Sequence, residues 1–302
     1  MQQLISELRA QGTGDVLINE PLSSHTTWKI GGPADCLVIP ETKDQLVQLI
    51  HILHKHEMPW FLLGRGSNIL VSDKGIRGIV IKLGTGLSEA RFENGLLYAG
   101  GGYSFIKLAV LAGKQGLTGL EFAGGIPGSV GGAVYMNAGA HGADVSRVLK
   151  QVDVVLENGE TAVWRNDDLK YTYRHSVLHE QKAIVTEAVS ELEPGDRKEI
   201  AAAMATYKDR RLRTQPLQLP CAGSTFRNPV GHYAAKLIED AGLKGLRVGG
   251  AEVSSLHANF IINTGNATAK DVLTLIDKIR KTIHEQFGIT LIPEILVTGE
   301  ED

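Results

Sequence analysis

Residues 123–144, AGGIPGSVGGAVYMNAGAHGAD, hold seven glycines in 22 positions and almost no charge. Glycine loses the most freedom on ordering and is poor inside a helix, so no regular helix is expected here. The stretch is too apolar for a solvated linker. Irregular loops of this length inside a domain are usually functional. A chain that keeps such a segment needs backbone that turns sharply or comes close to something. The bias is general: 35 glycines stand against seven tyrosines, seven phenylalanines and three tryptophans, and no repeat period explains them.

At 302 residues the chain has room for about two domains. Hydrophobic residues at 43% and charged residues at 22% are ordinary for a globular protein. The net charge of −3 argues against a nucleic-acid binder that relies on a basic surface. Two cysteines, Cys36 and Cys221, are too few for a disulfide framework or a cysteine-rich metal site. His51, His54 and His56 lack a carboxylate or thiol partner at ligand spacing, so no metal is expected. The start carries Glu7 and Arg9 without a long apolar run, which does not read as a signal peptide. No stretch approaches the ~20 apolar residues of a membrane span. A cytoplasmic protein without membrane insertion is expected.

The pattern alternates helix and strand. Residues 35–40 read as a strand closed by Pro40, and Thr42-Lys43-Asp44-Gln45 has the form of a capping box. Leu46, Leu49, Ile50 and Leu53 then recur at helical spacing, Pro59 stops the helix, and strands follow at 61–64 and 78–83. A strand at 96–100 leads to a helix over 103–115 ended by Gly116. Asn158-Gly159 signals a hairpin, and 182–192 reads as a further strand. A helix over 197–213 follows Pro194-Gly195-Asp196. Beyond Pro216 come a helix near 232–241, a strand at 257–263, a capped helix from 268 to 287 and a strand at 289–297. The expected fold class is α+β. Residues 1–195 form one region, with subdomains of about 1–84 and 85–195, and residues 196–302 a smaller domain. The last strand is a candidate to return to the N-terminal part.

No G-x-G-x-x-G, P-loop or G-x-S-x-G motif occurs, which disfavours Rossmann dehydrogenases, P-loop kinases and α/β-hydrolases. Two other glycine segments remain. Gly64, Arg65, Gly66, Ser67 and Asn68 follow a strand directly, where successive backbone N–H groups can form an anion-holding nest. Gly124, Gly125, Ile126, Pro127, Gly128 and Ser129, then Gly132, with Asn137 and Gly139 extending them, offer a second close approach of backbone to ligand. Taken alone, the first is equally a tight turn and the second a glycine-lined packing surface. Together they suit a pyrophosphate, hence a dinucleotide. Bulk at Gly66 or Gly128 is then expected to cost cofactor more than fold.

Further motifs stand in order along the chain. They are Thr27-Trp28-Lys29-Ile30-Gly31-Gly32, Tyr171-Thr172-Tyr173-Arg174-His175-Ser176, Ala222-Gly223-Ser224-Thr225-Phe226-Arg227-Asn228-Pro229 and Pro293-Glu294-Ile295. With the two glycine segments, the chain resembles the FAD-binding fold of the vanillyl-alcohol-oxidase/PCMH flavoproteins. Over nearly its whole length it is similar to the UDP-N-acetylenolpyruvoylglucosamine reductase (MurB) family of cell-wall synthesis. The resemblance implies a PCMH-type FAD-binding region followed by a smaller α+β substrate domain. It also implies a reaction in which NADPH reduces non-covalent FAD and hydride then passes to the enolpyruvyl ether of UDP-N-acetylglucosamine. Residues 65–68 contain no histidine or cysteine to tether the flavin, which agrees with a dissociable cofactor. The short stretch from Arg174 to Ser224 looks like the family variant lacking an inserted element with a substrate-covering tyrosine.

The same resemblance supplies candidate roles. Hydride added to the vinyl terminus leaves an enolate, which needs charge stabilisation and a proton. Arg174 has the planar fork for the substrate carboxylate, Ser224 matches the proton donor, and Glu294 matches the acidic residue, acting while protonated or through water. Arg227 and Asn228 beside Ser224, and Tyr207 and Arg213 on the basic helix end, are candidates for the UDP-sugar. Singly, each also has a plain structural reading: a surface ion pair, a turn serine, an edge charge, a solvated helix end. Two rivals stand beside this one: another PCMH-type FAD oxidoreductase, and a non-redox nucleotide-sugar binding module.

Overall fold

The structure is a computed structural model that describes residues 1–301. Contacts divide the chain into two compact units. The first gathers Met1–Ile18, Cys36–Arg65 and Gly78–Asp209; the second gathers Asn19–Asp35, Gly66–Arg77 and the described chain from Arg210 onward.

The first unit holds two cores. One lies between helices α1 (Gln2–Ala10) and α2 (Lys43–Lys55) and strand residues Cys36, Val38, Ile79 and Ile81. Strands Trp60–Leu62 and Ile76–Ile81 pair in parallel at one edge of a four-stranded sheet, with Pro33–Ile39 on the other side of Ile76–Ile81. The second core is built on a five-stranded antiparallel sheet of order Thr161–Arg165, Leu149–Leu156, Ala183–Glu191, Leu96–Gly100, Ala90–Glu93. Helices α3 (Phe105–Lys114) and α4 (Val130–Tyr135) cover one of its faces. The central strands are apolar on both sides for a reason. Val154 and Val185 belong to the α3/α4 core, whereas the neighbouring Val155 and Ile184 turn to the α1/α2 core. Helix α5 (Arg197–Thr214) is polar on nearly all sides and buries only Ile200.

The second unit packs helices α6 (Ala234–Asp240) and α7 (Ala269–Phe287) on a small antiparallel sheet of Arg247–Val248, Ala251–Val253 and Ile261–Asn263. Val272, Leu275, Ile276, Ile279 and Ile283 form the buried stripe of α7. Its N-terminus is held by the Thr268/Asp271 capping box, and the Asp73 carboxylate accepts from Ala269 N and Lys270 N. Trp28 is the hub of this core: its Nε1 donates to Ile261 O at 2.9 Å, and Asn263 Nδ2 donates to Trp28 O at 3.0 Å. The final strand, Leu296–Thr298, pairs in parallel with Ile69–Val71.

Four features differ from the sequence reading. Six residues of the glycine-rich segment do form a helix, α4. Ser129 caps it, Val130, Ala133 and Val134 are buried, and Gly131 lets it press against the Gly101 carbonyl. At 42–45 only half of a capping box forms: Thr42 accepts from Gln45 N, while Gln45 Oε1 takes Glu41 N instead. The strands expected at 257–263 and 289–297 shrink to Ile261–Asn263 and Leu296–Thr298. In the first, the Asn259 side chain replaces ladder bonds; in the second, Pro293 has no N–H to give. Among the described residues no helix is long and apolar enough to cross a membrane.

Candidate active site

The first glycine segment leaves strand Trp60–Leu62. Gly64 and Arg65 are exposed. A Cβ on Gly64 would lie 2.8 Å from Ser129 Oγ, so in the first unit this turn sits directly against the start of the second glycine segment. Gly66 has a different reason to be glycine. Its φ is +63°, and a Cβ would meet His25 O at 2.4 Å and Thr26 Cα at 2.6 Å. Backbone, not a ligand, fills that space, so bulk at Gly66 costs fold. Thr27 completes the contact: its N donates to Gly66 O at 3.0 Å, and its Oγ1 donates to Cys221 O at 2.7 Å. Asn68 Nδ2 donates to Glu294 O at 3.2 Å, and Leu296 N donates to Asn68 O at 3.0 Å.

In the second segment, Gly124, Gly125, Ile126 and Gly128 are half-buried and Pro127 is exposed. Gly128 has φ +154°, a conformation nearly restricted to glycine. Beyond it the chain satisfies itself. Val130 N and Gly131 N donate to Tyr103 O and Gly101 O, and Gly132 N donates to Ser129 Oγ at 3.2 Å. The N-terminus of α4 is therefore closed by protein groups. Asn137 is buried; its Nδ2 donates to Thr172 O at 3.0 Å and its Oδ1 accepts from Ser146 N at 3.1 Å. These bonds brace the loop that carries Arg174. Gly139–Ala140 and Ala143–Asp144 pair as a hairpin through His141 and Gly142, both at positive φ.

Arg174 itself has φ +56°, unusual for a branched chain of this size. Its Nη2 donates to Gly139 O at 2.8 Å and its guanidinium lies 4.9 Å from the centre of the Tyr173 ring. Nearby, the Tyr171 hydroxyl is buried with no hydrogen-bond partner among the described residues, and burial together with the Asp144 charge pushes its pKa up. Tyr207 stacks on His141, ring centres 3.8 Å apart, so its ring is engaged by the hairpin.

The second unit brings Ser224 and Glu294 onto adjacent segments. Glu294 N donates to Thr225 O at 2.8 Å, Arg227 N donates to Ile292 O at 2.9 Å, and Phe226 bridges Pro293 between them. Two donors here are buried and lack partners among the described residues, Thr225 Oγ1 and Arg227 Nε. Buried unpaired donors are rare in finished protein structure and fit a site built for an oxygen-rich ligand. Asn228 Oδ1 accepts from Ala234 N at 3.0 Å, at the start of α6. Burial pushes the Cys221 thiol up and the neighbouring Arg211 down, which suits a packed thiol rather than a nucleophile. Arg213 lies near the end of α5 and is exposed.

The sequence motifs include Thr27 and Tyr171 but give neither a role, and sequence reasoning singled out nothing at Asn259. Asn259, only 4% exposed, had a visible signal, an amide inside the apolar run HANFII.

The exposed Gly64 turn lies against Ser129, which directly follows Gly128, whose φ of +154° is nearly restricted to glycine. That fits a flat, pyrophosphate-bearing cofactor, and residues 34–164 match the FAD binding domain family. The class is thus an FAD-binding flavoprotein of the PCMH type. Residues 215–298 match the UDP-N-acetylenolpyruvoylglucosamine reductase C-terminal domain. The chain is 50% identical over 300 residues to UDP-N-acetylenolpyruvoylglucosamine reductase of Bacillus subtilis (strain 168), covering 99% of each. It is 51% identical over 302 residues to that of Anoxybacillus flavithermus (strain DSM 21510 / WK1), covering all of both. The crystal structure of the reductase (MurB) from Thermus caldophilus matches with a TM-score of 0.81 at 36% identity, over 94% of this chain and 98% of that one. The chain belongs to the UDP-N-acetylenolpyruvoylglucosamine reductase family. It is an FAD-dependent oxidoreductase of peptidoglycan precursor synthesis.

Proposed function

We propose that this enzyme uses NADPH to reduce UDP-N-acetylglucosamine enolpyruvate to UDP-N-acetylmuramate in the cytoplasm, with Arg174, Ser224 and Glu294 as its catalytic residues. FAD, when bound, supplies the hydride relay from NADPH to the terminal carbon of the enolpyruvyl group. Backbone of 64–68 and 124–129 holds its pyrophosphate. Arg174 binds the substrate carboxylate and offsets the negative charge that grows there. Ser224 gives its hydroxyl proton to the carbon beside that carboxylate. Glu294, on the adjoining segment, acts protonated or through water to return a proton to the serine. Arg227 and Thr225 have unsatisfied donors to offer the UDP-sugar; Asn228, Tyr207 and Arg213 are the weaker candidates for it, each having a protein partner already.

The division of labour is cofactor on residues 1–195 and substrate on 196–302. Two adjustments follow from the contacts: 19–35 and 66–77 pack with the second unit, and 196–209 pack with the first. The observation that carries the reading is the backbone pairing of 225–227, directly after Ser224, with 292–294, beside two buried donors that lack partners among the described residues. An absorbance spectrum followed by anaerobic addition of NADPH, then of the enolpyruvyl substrate, tests it. The yellow protein bleaches with NADPH and regains its colour with substrate. A colourless reconstituted protein, or colour that returns only with oxygen, sinks it.

A further inference from the structure

The Ser224 and Glu294 segments lie side by side, and an asparagine stands on each outer edge: Asn68 just before Ile69–Val71, which pairs with Leu296–Thr298, and Asn259 just before Ile261–Asn263. On one edge, Asn68 bonds the 294–296 segment in both directions, Nδ2 to Glu294 O and its own carbonyl to Leu296 N. On the other edge, buried Asn259 does the same for Phe226: Phe226 N donates to Oδ1 at 2.9 Å and Nδ2 donates to Phe226 O at 2.8 Å. Its backbone carbonyl also accepts from Thr225 N at 2.8 Å. The order across the site is therefore Asn68, Glu294, Thr225, Asn259, and at each end the asparagine contributes both its backbone carbonyl and its side-chain amide.

A primary amide is the side chain suited to this. It offers a donor and an acceptor at the spacing of a peptide group, so it completes a ladder where a strand cannot continue. The strand next to Glu294 is interrupted by Pro293, and the 257–260 turn curls away before Ile261. Without the two amides, Phe226 O and Glu294 O would lose partners and the spacing of Ser224 from Glu294 would be free to drift. Proton transfer is steeply sensitive to such drift, since ~1 Å of misplacement costs ~10²-fold.

We propose that Asn68 and Asn259 are positioning residues that fix Ser224 and Glu294 for proton delivery. The proposal rests on the catalytic reading above. It also gives the Asn68 side chain a different task from cofactor binding.

The test uses the FAD-loaded enzyme and the variants Asn68→Ala and Asn259→Asp. The aspartate keeps size and the acceptor but turns an oxygen toward Phe226 O. Stopped-flow measurement separates flavin reduction by NADPH from reoxidation by the enolpyruvyl substrate. Reoxidation should slow by ~10- to 100-fold in each variant, far more than flavin reduction does, with FAD retention unchanged in Asn259→Asp. Amide hydrogen exchange at 224–227 and 292–296 should rise by more than elsewhere in the second unit. In a Ser224→Ala background neither change should slow reoxidation further, because positioning a missing donor has no effect. Additive effects, equal slowing of both half-reactions, or wild-type reoxidation in both variants would overturn the proposal. If Ser224→Ala itself reoxidises normally, the catalytic reading falls and takes the positioning role with it.

Discussion

The two units hold their candidate catalytic residues by opposite means. In the first unit, Arg174 stands on a left-handed backbone, tied to the carbonyl of Gly139 in a hairpin that is itself turned by two positive-φ residues. Its neighbourhood is glycine-rich and irregular. In the second, Ser224 and Glu294 sit on segments joined by ordinary backbone bonds and closed by amide side chains. Strained backbone can only persist where its surroundings over-determine it, and Asn137 supplies that here by bracing Thr172 and Ser146. The first arrangement suits a group that meets a ligand from a loop. The second suits a group whose distance to a partner must not change.

The sharpest test of that contrast removes one group from each unit. Ser224→Ala should leave reduction of the flavin by NADPH near wild type and slow substrate-driven reoxidation by at least the ~10²–10⁴ of lost general-acid help. Ser224→Cys, which keeps a proton donor, should recover part of it. Stopped-flow of each half-reaction decides, and a Ser224→Ala enzyme with normal reoxidation would leave this serine a turn residue.

Arg174→Ala should follow with a loss of ~10²–10³ in the same half-reaction, the range seen when a donor to a developing oxyanion is deleted. Comparable slowing of both halves would make Arg174 a structural anchor of the hairpin instead.

The two glycine segments sharpen the comparison further, because they look alike in sequence and are not alike in space. Gly128→Val should weaken FAD binding by tenfold or more, ~1.4 kcal/mol, since φ +154° excludes a branched side chain where the backbone is accessible. Gly66→Val should instead lower the melting temperature, because its side chain would strike the His25 and Thr26 backbone. Titration of the apo protein with FAD, beside thermal melts, separates the two. If Gly66→Val melts normally and fails only to hold FAD, the packing account of Gly66 is wrong.

That pair also shows what the sequence made legible. Glycine spacing marked both turns correctly but is silent on whether protein or ligand occupies the space beside them. The helix periods, the Thr268 box and the Asn158-Gly159 hairpin were readable because their causes are local. Helix α4 was not, since its stability comes from burial of Val130, Ala133 and Val134 and not from propensity. The assembly of the second unit was hidden for a related reason. Residues 19–35 and 66–77 join the C-terminal chain through Trp28, Asp73 and Asn68, contacts between residues about 200 positions apart in sequence that no local pattern encodes.

The smallest expected effect concerns the Asn259 edge of the second unit and its dependence on pH. His257 precedes that asparagine, and its Nδ1 accepts from Asn259 N at 3.3 Å, which requires that nitrogen to be unprotonated. Burial, with the Lys244 charge, lowers the pKa of His257, and its own backbone bond and Glu239 oppose only in part. The folded protein thus takes up this proton less readily than the unfolded chain does. Above the ordinary histidine value near 6.5, both states are neutral and the contribution to stability is complete. As pH falls past it, the unfolded chain is protonated first and stability declines, until the folded ring also titrates. One proton can contribute a slope of at most about 1.4 kcal/mol per pH unit. His257→Gln keeps an acceptor without a titrating group, so its melting temperature should fall less than that of the wild type between about pH 7 and pH 5. Parallel pH profiles for the two proteins would show that His257 takes up its proton equally readily in the folded and the unfolded chain, and that the Asn259 clamp is indifferent to acid.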